Sequence, residues 1–344
     1  MPAEVVLPSE PTDGVPTPRR YWAVLTIWLG LTLAVLDGAI ANVAPPTIAT
    51  DLHTSPSNSI WVINAYQLAV TISLLPLSSL GDIFGYRRVY QAGFIVFTIA
   101  SLACAMSWSL PSLAIARVFQ GFGAAGIMSV NSALVRFIYP RRWMGRGIGI
   151  NSTISSIASA AGPSVAAAIL AVAPWPWLFA VNVPLGIAGA IIAWRALPAT
   201  PSSGVKFDTA SALMSAISLG LLITVIDGVG HGEHIELIIV QGMVAFVVGL
   251  ILVARELSQS APLLPVDLMR IPLFALSATT SVCAFVAQSM ALVSLPFLFE
   301  SALGFNQVHT GLLMTPWPLM VAVIFRSPGG WPTATLWASS VVLG

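Results

Sequence analysis

The sequence predicts an all-α polytopic membrane protein, and three observations predict it. The 344 residues are 57% hydrophobic and only 8% charged, with a mean hydropathy of +0.89, whereas soluble domains carry about 25% charged residues. Apolar runs near the ~20 residues that cross about 30 Å of hydrocarbon recur along the chain. Most basic residues fall between these runs. A chain this poor in charge cannot cover a globular surface, so we expect lipid to be its solvent.

In order, the chain is expected to contain a tail, a first bundle and further spans. Residues 1–18 hold five prolines and three acids, which predicts a disordered tail. Nine apolar runs and a weaker tenth follow, at about 21–43, 60–80, 89–108, 110–130, 148–172, 177–194, 210–229, 235–254, 273–299 and 311–325. They predict a first six-span bundle over 19–200, two extra spans with loops over 201–271, the start of a second bundle over 272–325 and an aberrant tail over 326–344.

The basic residues predict the orientation. If the charged loop at 81–88 is cytoplasmic, the alternating loops place twelve of the fourteen Lys and Arg residues on that side. The other two are Arg117, inside a span, and Arg326, in the tail. Because basic loops are retained in the cytoplasm, we expect a multi-pass plasma membrane protein, of the bacterial inner membrane, with a cytoplasmic N-terminus.

Two charged residues lie deep inside predicted spans. Asp37 is in the first span, where an acid costs about 2.5–3.5 kcal/mol on insertion scales. It must therefore face the bundle interior or a wet cavity, either as a proton or cation site or as an interface acid with access to water. Arg117, in the fourth span, is a candidate partner for Asp37, and its role is either coupling or a structural tie. Gln120, one turn further on, can add a hydrogen bond.

Small residues mark places where helices can approach closely. Gly121 and Gly123 follow Arg117 in the fourth span and favour helix packing. In the fifth span Ala158, Gly162 and Ala166 recur every four residues and form one small-residue face. Pro163 in this span removes a backbone donor and is expected to bend the helix. A gating element and ordinary close packing both fit this pattern.

The other polar residues carry weaker signals. Asp227 and Glu300 fall near the outer ends of the seventh and ninth spans, where they are either interfacial or linked to substrate. The cysteines Cys104 and Cys283 lie in apolar runs and are interpreted as small core residues. We expect no metal site and no cofactor, and no nucleic-acid partner. No nucleophile–base pair stands out, so the sequence does not predict an enzyme.

Two of these stretches carry a resemblance to a known family. The loop Gly81-Asp82-x-x-Gly85-x-Arg87-Arg88 resembles the signature loop of the major facilitator superfamily, and the run Arg117-x-x-Gln120-Gly121-x-Gly123 is similar to its fourth-span motif. The resemblance covers roughly residues 20–325. It implies alternating access between two six-span halves. It also implies that Asp82, Arg87 and Arg88 latch the inward ends of helices in the outward-facing state.

Other stretches resemble the branch of this superfamily with fourteen spans, which contains drug:proton antiporters exporting quaternary ammonium compounds and methyl viologen. The Gly162-Pro163 run is similar to an antiporter motif, although alanines replace some of its usual glycines, and Pro176 replaces the usual arginine between two tryptophans. The other similar stretches are Leu36-Asp37-x-x-Ile40-x-Asn42-Val43-Ala44, Trp177-x-Phe179-x-x-Asn182-Val183-Pro184-x-Gly186 and Thr310-Gly311-Leu312-Leu313-Met314-Thr315-Pro316-Trp317-Pro318.

The resemblance implies proton-coupled efflux of lipophilic or cationic drugs across the membrane. Asp37 would be the proton or cation acid and Arg117 the coupling residue, with protons and a lipophilic cation as partners in a lipid bilayer. Eleven Trp and fifteen Phe fit a cavity lined for cation–π contact, and they fit interfacial belts equally well. Two alternatives stay open: an uptake carrier of the same superfamily for a metabolite, and an inactive, truncated remnant of an exporter.

The length of the chain predicts truncation. Fourteen spans at this spacing need roughly 450–500 residues, and the chain has 344. Codons chosen for 328–337 read Gly-Arg-Leu-Ala-Asp-Arg-Tyr-Pro when displaced by two bases, and this peptide resembles a second copy of the signature loop. We therefore expect a frameshift in the coding DNA, with a naturally short protein as the alternative.

Overall fold

The computed structural model describes residues 13–202, 207–231, 234–258, 268, 270–299, 303, 304 and 313. Every regular element in these residues is helical, and the chain divides into two compact units between Phe207 and Asp208. The helices are α1 (Arg19–Ala41), α2 (Pro45–Asp51), α3 (Pro56–Ser59), α4 (Trp61–Phe84), α5 (Tyr86–Ala105), α6 (Leu110–Ile138), α7 (Met144–Leu170), α8 (Trp177–Ala180), α9 (Asn182–Ala196), α10 (Thr209–His231), α11 (Ile235–Glu256) and α12 (Pro272–Phe297).

Eight helical segments of the described chain are long and apolar enough to cross a membrane: α1, α4, α5, α6, α7 with the 3-10 turn before it, α8 with α9, α10, and α11. They coincide with the first eight predicted runs, so the all-α polytopic prediction is confirmed. The ninth run falls on α12. The tenth run, apart from residue 313, and the tail over 326–344 with its proposed frameshift lie outside the described residues.

The charged stretch at 81–88 is not a loop, and that prediction is wrong. Gly81 and Asp82 belong to the last turn of α4, and Arg87 and Arg88 to the first turn of α5. Gly85 alone separates the two helices, with φ at +92°. Side chains other than glycine avoid this backbone region, so a single glycine can end one helix and start the next. The charges are therefore mounted on rigid helix ends.

The predicted disordered tail is also partly wrong, because residues 13–18 are ordered. Val15 is only 5% exposed, and its N–H donates to the Ile138 carbonyl at 3.1 Å. Asp13 accepts a hydrogen bond from the backbone N–H of Arg141 at 3.0 Å. One apolar side chain and one acid, each with a partner on the first unit, are enough to hold this short segment against the end of α6.

The first unit is built around α6 and α1. Helix α6 packs against α4 and α5, while α1 packs against α7 and α9. Helices that alternate in direction bring one set of arginines to a common end of the unit, which we call the basic end: Arg19, Arg20, Arg87, Arg88, Arg136, Arg141, Arg142, Arg146 and Arg195. One apolar cluster fills the half of the core toward this end and a second fills the half toward the opposite end.

The small-residue face of α7 is buried against α1. Ala158, Gly162 and Ala166 are all buried, and a Cβ added to Gly162 would overlap Ala39 of α1. Pro163 points away from this contact and is exposed. Helix α7 continues through Pro163 to Leu170. The face therefore forms a close contact between two helices, as the spacing of its small residues predicts.

Candidate functional site

A buried polar cluster lies in the first unit, centred on the carboxylate of Asp37. Asp37 is in the last turns of α1 and is 1% exposed. Its Oδ2 accepts from Arg117 Nη1 at 2.5 Å. Its Oδ1 accepts from Gln120 Nε2 at 2.9 Å and from Asn182 Nδ2 at 2.6 Å. Three donors from α6 and α9 thus compensate one almost fully buried carboxylate.

Arg117 is fully buried and is held on several sides. Its Nε donates to the Val62 carbonyl at 2.9 Å, and its Nη1 also donates to Gln120 Oε1 at 2.7 Å. The guanidinium carbon lies 4.2 Å from the ring centre of Tyr66 and 5.4 Å from that of Phe179. Arg117 Nη2 has no hydrogen-bond partner among the described residues. The cation is thus paired with a charge and with two aromatic faces, which favour a desolvated guanidinium.

The surroundings of the pair make its two charges interdependent. Apolar cores enclose it on both sides along the helix axes, with Ile27 and Ala34 on one side of Asp37 and Ile40 on the other. A charge in such a place is tolerated only with a partner, since removing one member of a buried pair costs about 3–5 kcal/mol. Loss of the negative charge of Asp37 would therefore leave the Arg117 guanidinium buried without a counter-ion.

The other predicted site residues are dispersed. Gln120 joins the cluster, and its Nε2 also donates to Ser101 Oγ at 2.9 Å. Gly121 and Gly123 lie beyond it on α6, where their missing side chains admit the backbones of α4 and α5. Asp227 is part-buried in α10 of the second unit. Glu300 lies outside the described residues.

The predicted latch residues lie at the basic end, away from Asp37. The Tyr86 hydroxyl donates to Asp82, and Arg87 Nη2 donates to the Trp194 carbonyl. The backbone N–H of Arg87 also donates to Thr200 Oγ1 at 3.3 Å, whereas Arg88 is exposed. Within the first unit these residues thus tie α5 to the end of α9 and to the segment after it.

Three contributors to the cluster lie outside the predicted site residues. Asn182 belongs only to a family-like motif, and no sequence pattern marks Tyr66 or Ser101. An amide inside an apolar span, such as Asn182, predicts a polar partner on another helix, because a polar group in hydrocarbon needs one. A buried serine such as Ser101 predicts a partner on another helix less strongly, since its hydroxyl often donates to a carbonyl of its own helix. Ser101 does so at 2.7 Å to Phe97, whereas Tyr66 donates across to Ala34 of α1 at 2.8 Å.

The cluster is made of one acid, one base and neutral amides, so its chemistry is proton exchange or charge compensation. In the described part of the chain, no group of three His, Cys, Asp or Glu side chains could hold a metal ion.

A separate cavity of about 650 Å³ lies at the opposite end of the unit from the basic end, lined by Asn42, Thr50, Thr54, Ser59 and Ile63 among others.

Comparison with known families decides the identity of the fold. The profile of the Major Facilitator Superfamily matches residues 27–338, which is most of the chain. This chain belongs to the Major Facilitator Superfamily. It is therefore a multi-pass membrane transporter and not an enzyme.

Similar proteins agree on transport but differ in substrate. The chain is 57% identical over 320 residues to the uncharacterized transporter YebQ of Escherichia coli K12, covering 92% of this chain and 70% of YebQ. It is 30% identical to the riboflavin transporter RibZ of Clostridioides difficile, covering 89% of this chain and 67% of RibZ. It is also 30% identical to the putative multidrug resistance protein MdtD of Salmonella heidelberg, covering 86% of this chain and 63% of MdtD. The chain therefore spans about two thirds of the length of these relatives.

A solved structure has the same fold. The proton:xylose symporter XylE of E. coli superposes with a TM-score of 0.60 at 13% identity, covering 91% of this chain and 70% of XylE. At that identity the likeness concerns the fold and says nothing about the substrate.

Proposed function

We propose that this transporter exports lipophilic or cationic drugs in exchange for protons, in a bacterial inner membrane and with its N-terminus in the cytoplasm. The observation that carries the proposal is the buried contact of Asp37 with Arg117. A buried acid that faces a cation inside a membrane span is a group that can take up and release a proton during a transport cycle.

The contacts of Asp37 suggest how the exchange would work. All three hydrogen-bond donors point at the carboxylate oxygens of Asp37. A proton arriving at Asp37 would remove the negative charge and leave Arg117 without its counter-ion. The guanidinium would then favour a different position. Return of the proton to the other side of the membrane would restore the pair, and alternating access between the two halves would carry the substrate outward.

Two further observations support this function. One of the similar proteins is a putative multidrug resistance protein, and the bacterial sources of the relatives fit an inner membrane. The arginines of the first unit also collect at its basic end, as expected for a cytoplasmic face.

Replacing Asp37 tests the proposal. In vesicles that contain the protein and bear an imposed proton gradient, Asp37→Asn should lower proton-driven ethidium efflux at least about tenfold, to the level of protein-free vesicles, because an amide cannot exchange a proton. Ethidium fluorescence follows the transport. The matched control is Asp13→Asn, an exposed acid of the same unit, which should transport as the unchanged protein does. Normal proton-driven efflux by Asp37→Asn would overturn the assignment.

A metabolite uptake carrier is the second candidate, because RibZ, at 30% identity, is a riboflavin transporter. The same vesicles discriminate the two functions. Proton-linked accumulation of labelled riboflavin without ethidium transport would favour the carrier, and ethidium efflux without riboflavin transport would favour the exporter.

A further inference from the structure

A groove at the basic end of the first unit is lined by side chains that complement a phospholipid. It lies between the start of α1 and the end of α9, has a volume of about 410 Å³, and is lined by Arg19, Trp22, Ile191, Ile192 and Arg195 together with Pro18 and Ala196. None of these residues is acidic. Two cations at one end and an apolar wall below them match a charged headgroup joined to acyl chains.

The two arginines differ in how far they are engaged. Arg19 Nε and Nη2 donate to the carbonyls of Ala196 and Leu197, each at 3.0 Å. Arg19 thus caps α9 and keeps its positive charge at the groove. The side chain of Arg195 is exposed and has no hydrogen bond or ion pair to any residue that the structure describes. Its guanidinium is available to an external anion.

The side chains that bind the carbonyls at the end of α9 are donors and not acids. Besides the two bonds from Arg19, Gln91 Nε2 donates to Ala193 at 3.2 Å, and Arg87 donates to Trp194. The last turn of α9 is therefore surrounded by donors, with a net positive charge and no carboxylate in the groove. A phosphate carries the complementary charge, and Arg binds it with a planar fork of donors.

The apolar wall indicates that the anion belongs to a lipid. Trp22 is 55% exposed and Ile191 51% exposed, and Trp194 beside them is 68% exposed. Tryptophan concentrates at the level of membrane headgroups, while isoleucine favours acyl chains. Since α1 and α9 are both parts of membrane spans, the groove opens where lipid headgroups lie.

We propose that this groove binds an anionic phospholipid, with its phosphate at Arg195 and Arg19 and an acyl chain along Trp22 and Ile191. The site lies apart from the Asp37 cluster and does not depend on what the transporter carries. Basic pockets between membrane helices are known to select anionic headgroups.

Native mass spectrometry of the purified protein, titrated with phosphatidylglycerol or phosphatidylcholine, tests the site. The unchanged protein should retain phosphatidylglycerol in preference to phosphatidylcholine. Arg195→Gln should weaken phosphatidylglycerol binding about fivefold, the effect expected of one arginine near a membrane surface, without changing phosphatidylcholine binding. Arg195→Lys should keep most of the preference, because it keeps the charge.

Arg146→Gln is the matched control, since Arg146 is an exposed arginine of the same end that does not line the groove. It should bind phosphatidylglycerol as the unchanged protein does. The proposal fails if Arg195→Gln binds phosphatidylglycerol normally or if Arg146→Gln weakens binding equally. It also fails if millimolar inorganic phosphate displaces the lipid, because the site would then recognise the free anion.

Discussion

At the scale of single residues, Asp37 is held by side chains from two other helices. Arg117 and Gln120 come from α6, and Asn182 from α9. The carboxylate thereby joins α1 to both, so its charge matters for folding as well as for any role in transport. Breaking the pair from either side leaves one charge buried in an apolar core.

Replacing Arg117 should destabilise the protein through Asp37. In Arg117→Met the carboxylate keeps only amide donors, so the free energy of unfolding should fall by about 3–5 kcal/mol. The double variant Asp37→Asn/Arg117→Met should regain much of this loss, because it leaves no buried charge. Unfolding in detergent micelles, followed by circular dichroism, measures both.

The control for this experiment is Arg146→Met, which removes an exposed arginine and should change stability by less than about 0.5 kcal/mol. If the double variant is as unstable as the sum of the single variants, the two residues do not stabilise each other.

At the scale of elements, glycines set how closely α6 approaches its neighbours. A Cβ at Gly121 would lie 2.7 Å from the Tyr66 carbonyl oxygen on α4, and one at Gly126 would lie 3.0 Å from Gly93 on α5. These neighbours are backbone atoms, which cannot move aside as the end of a side chain can. The glycines thus allow the close approach that membrane helices use in place of a hydrophobic driving force.

Gly121→Ala should push α4 away from α6 and lower the free energy of unfolding by about 1–3 kcal/mol, as overpacking commonly does. Because Arg117 lies on the same helix and donates to Val62 of α4, ethidium transport should fall as well. Thermal unfolding and vesicle transport measure the two effects. In Gly145→Ala the new Cβ meets nothing within 4 Å, so this variant should match the unchanged protein. Equal stability of the two variants would show that α4 tolerates the extra carbon.

At the scale of the whole molecule, the basic end gives the first unit a direction. Nine arginines lie at the helix ends there, while Asp51 lies at the opposite end, where it accepts from Trp175 Nε1 at 2.6 Å. The positive-inside rule then predicts that the basic end faces the cytoplasm.

Labelling of single cysteines tests this orientation. After Cys104 and Cys283 are replaced by alanine, Thr47→Cys at the opposite end and Gly145→Cys at the basic end each introduce one exposed thiol. A membrane-impermeant maleimide added to intact cells should label Thr47→Cys only, and both variants should react after permeabilisation. Labelling of Gly145→Cys in intact cells would show that the basic end faces the outside of the cell.

The sequence predicted the elements better than their junctions. Composition and run length located eight spans, since hydrocarbon thickness sets a length that any apolar helix must meet. The stretch at 81–88 differs from its predicted loop because charges and Gly81 are tolerated inside helix ends, and only Gly85, with its positive φ, interrupts the helices. Residues 13–18 show no apolar period, and contacts of Asp13 and Val15 with distant residues order them.

What the sequence by itself determined is the solvent of this protein and the cost of its buried charges. A composition with 8% charged residues requires lipid, and Asp37 and Arg117 then require partners. The sequence offers Arg117 as a candidate partner of Asp37, and the tertiary structure decides that Arg117, Gln120 and Asn182 all bind it. Asp37 is 80 positions from Arg117 and 145 from Asn182. Contacts at such separations depend on which helices pack together and at what rotation, and the periodicity of a single helix does not contain that information.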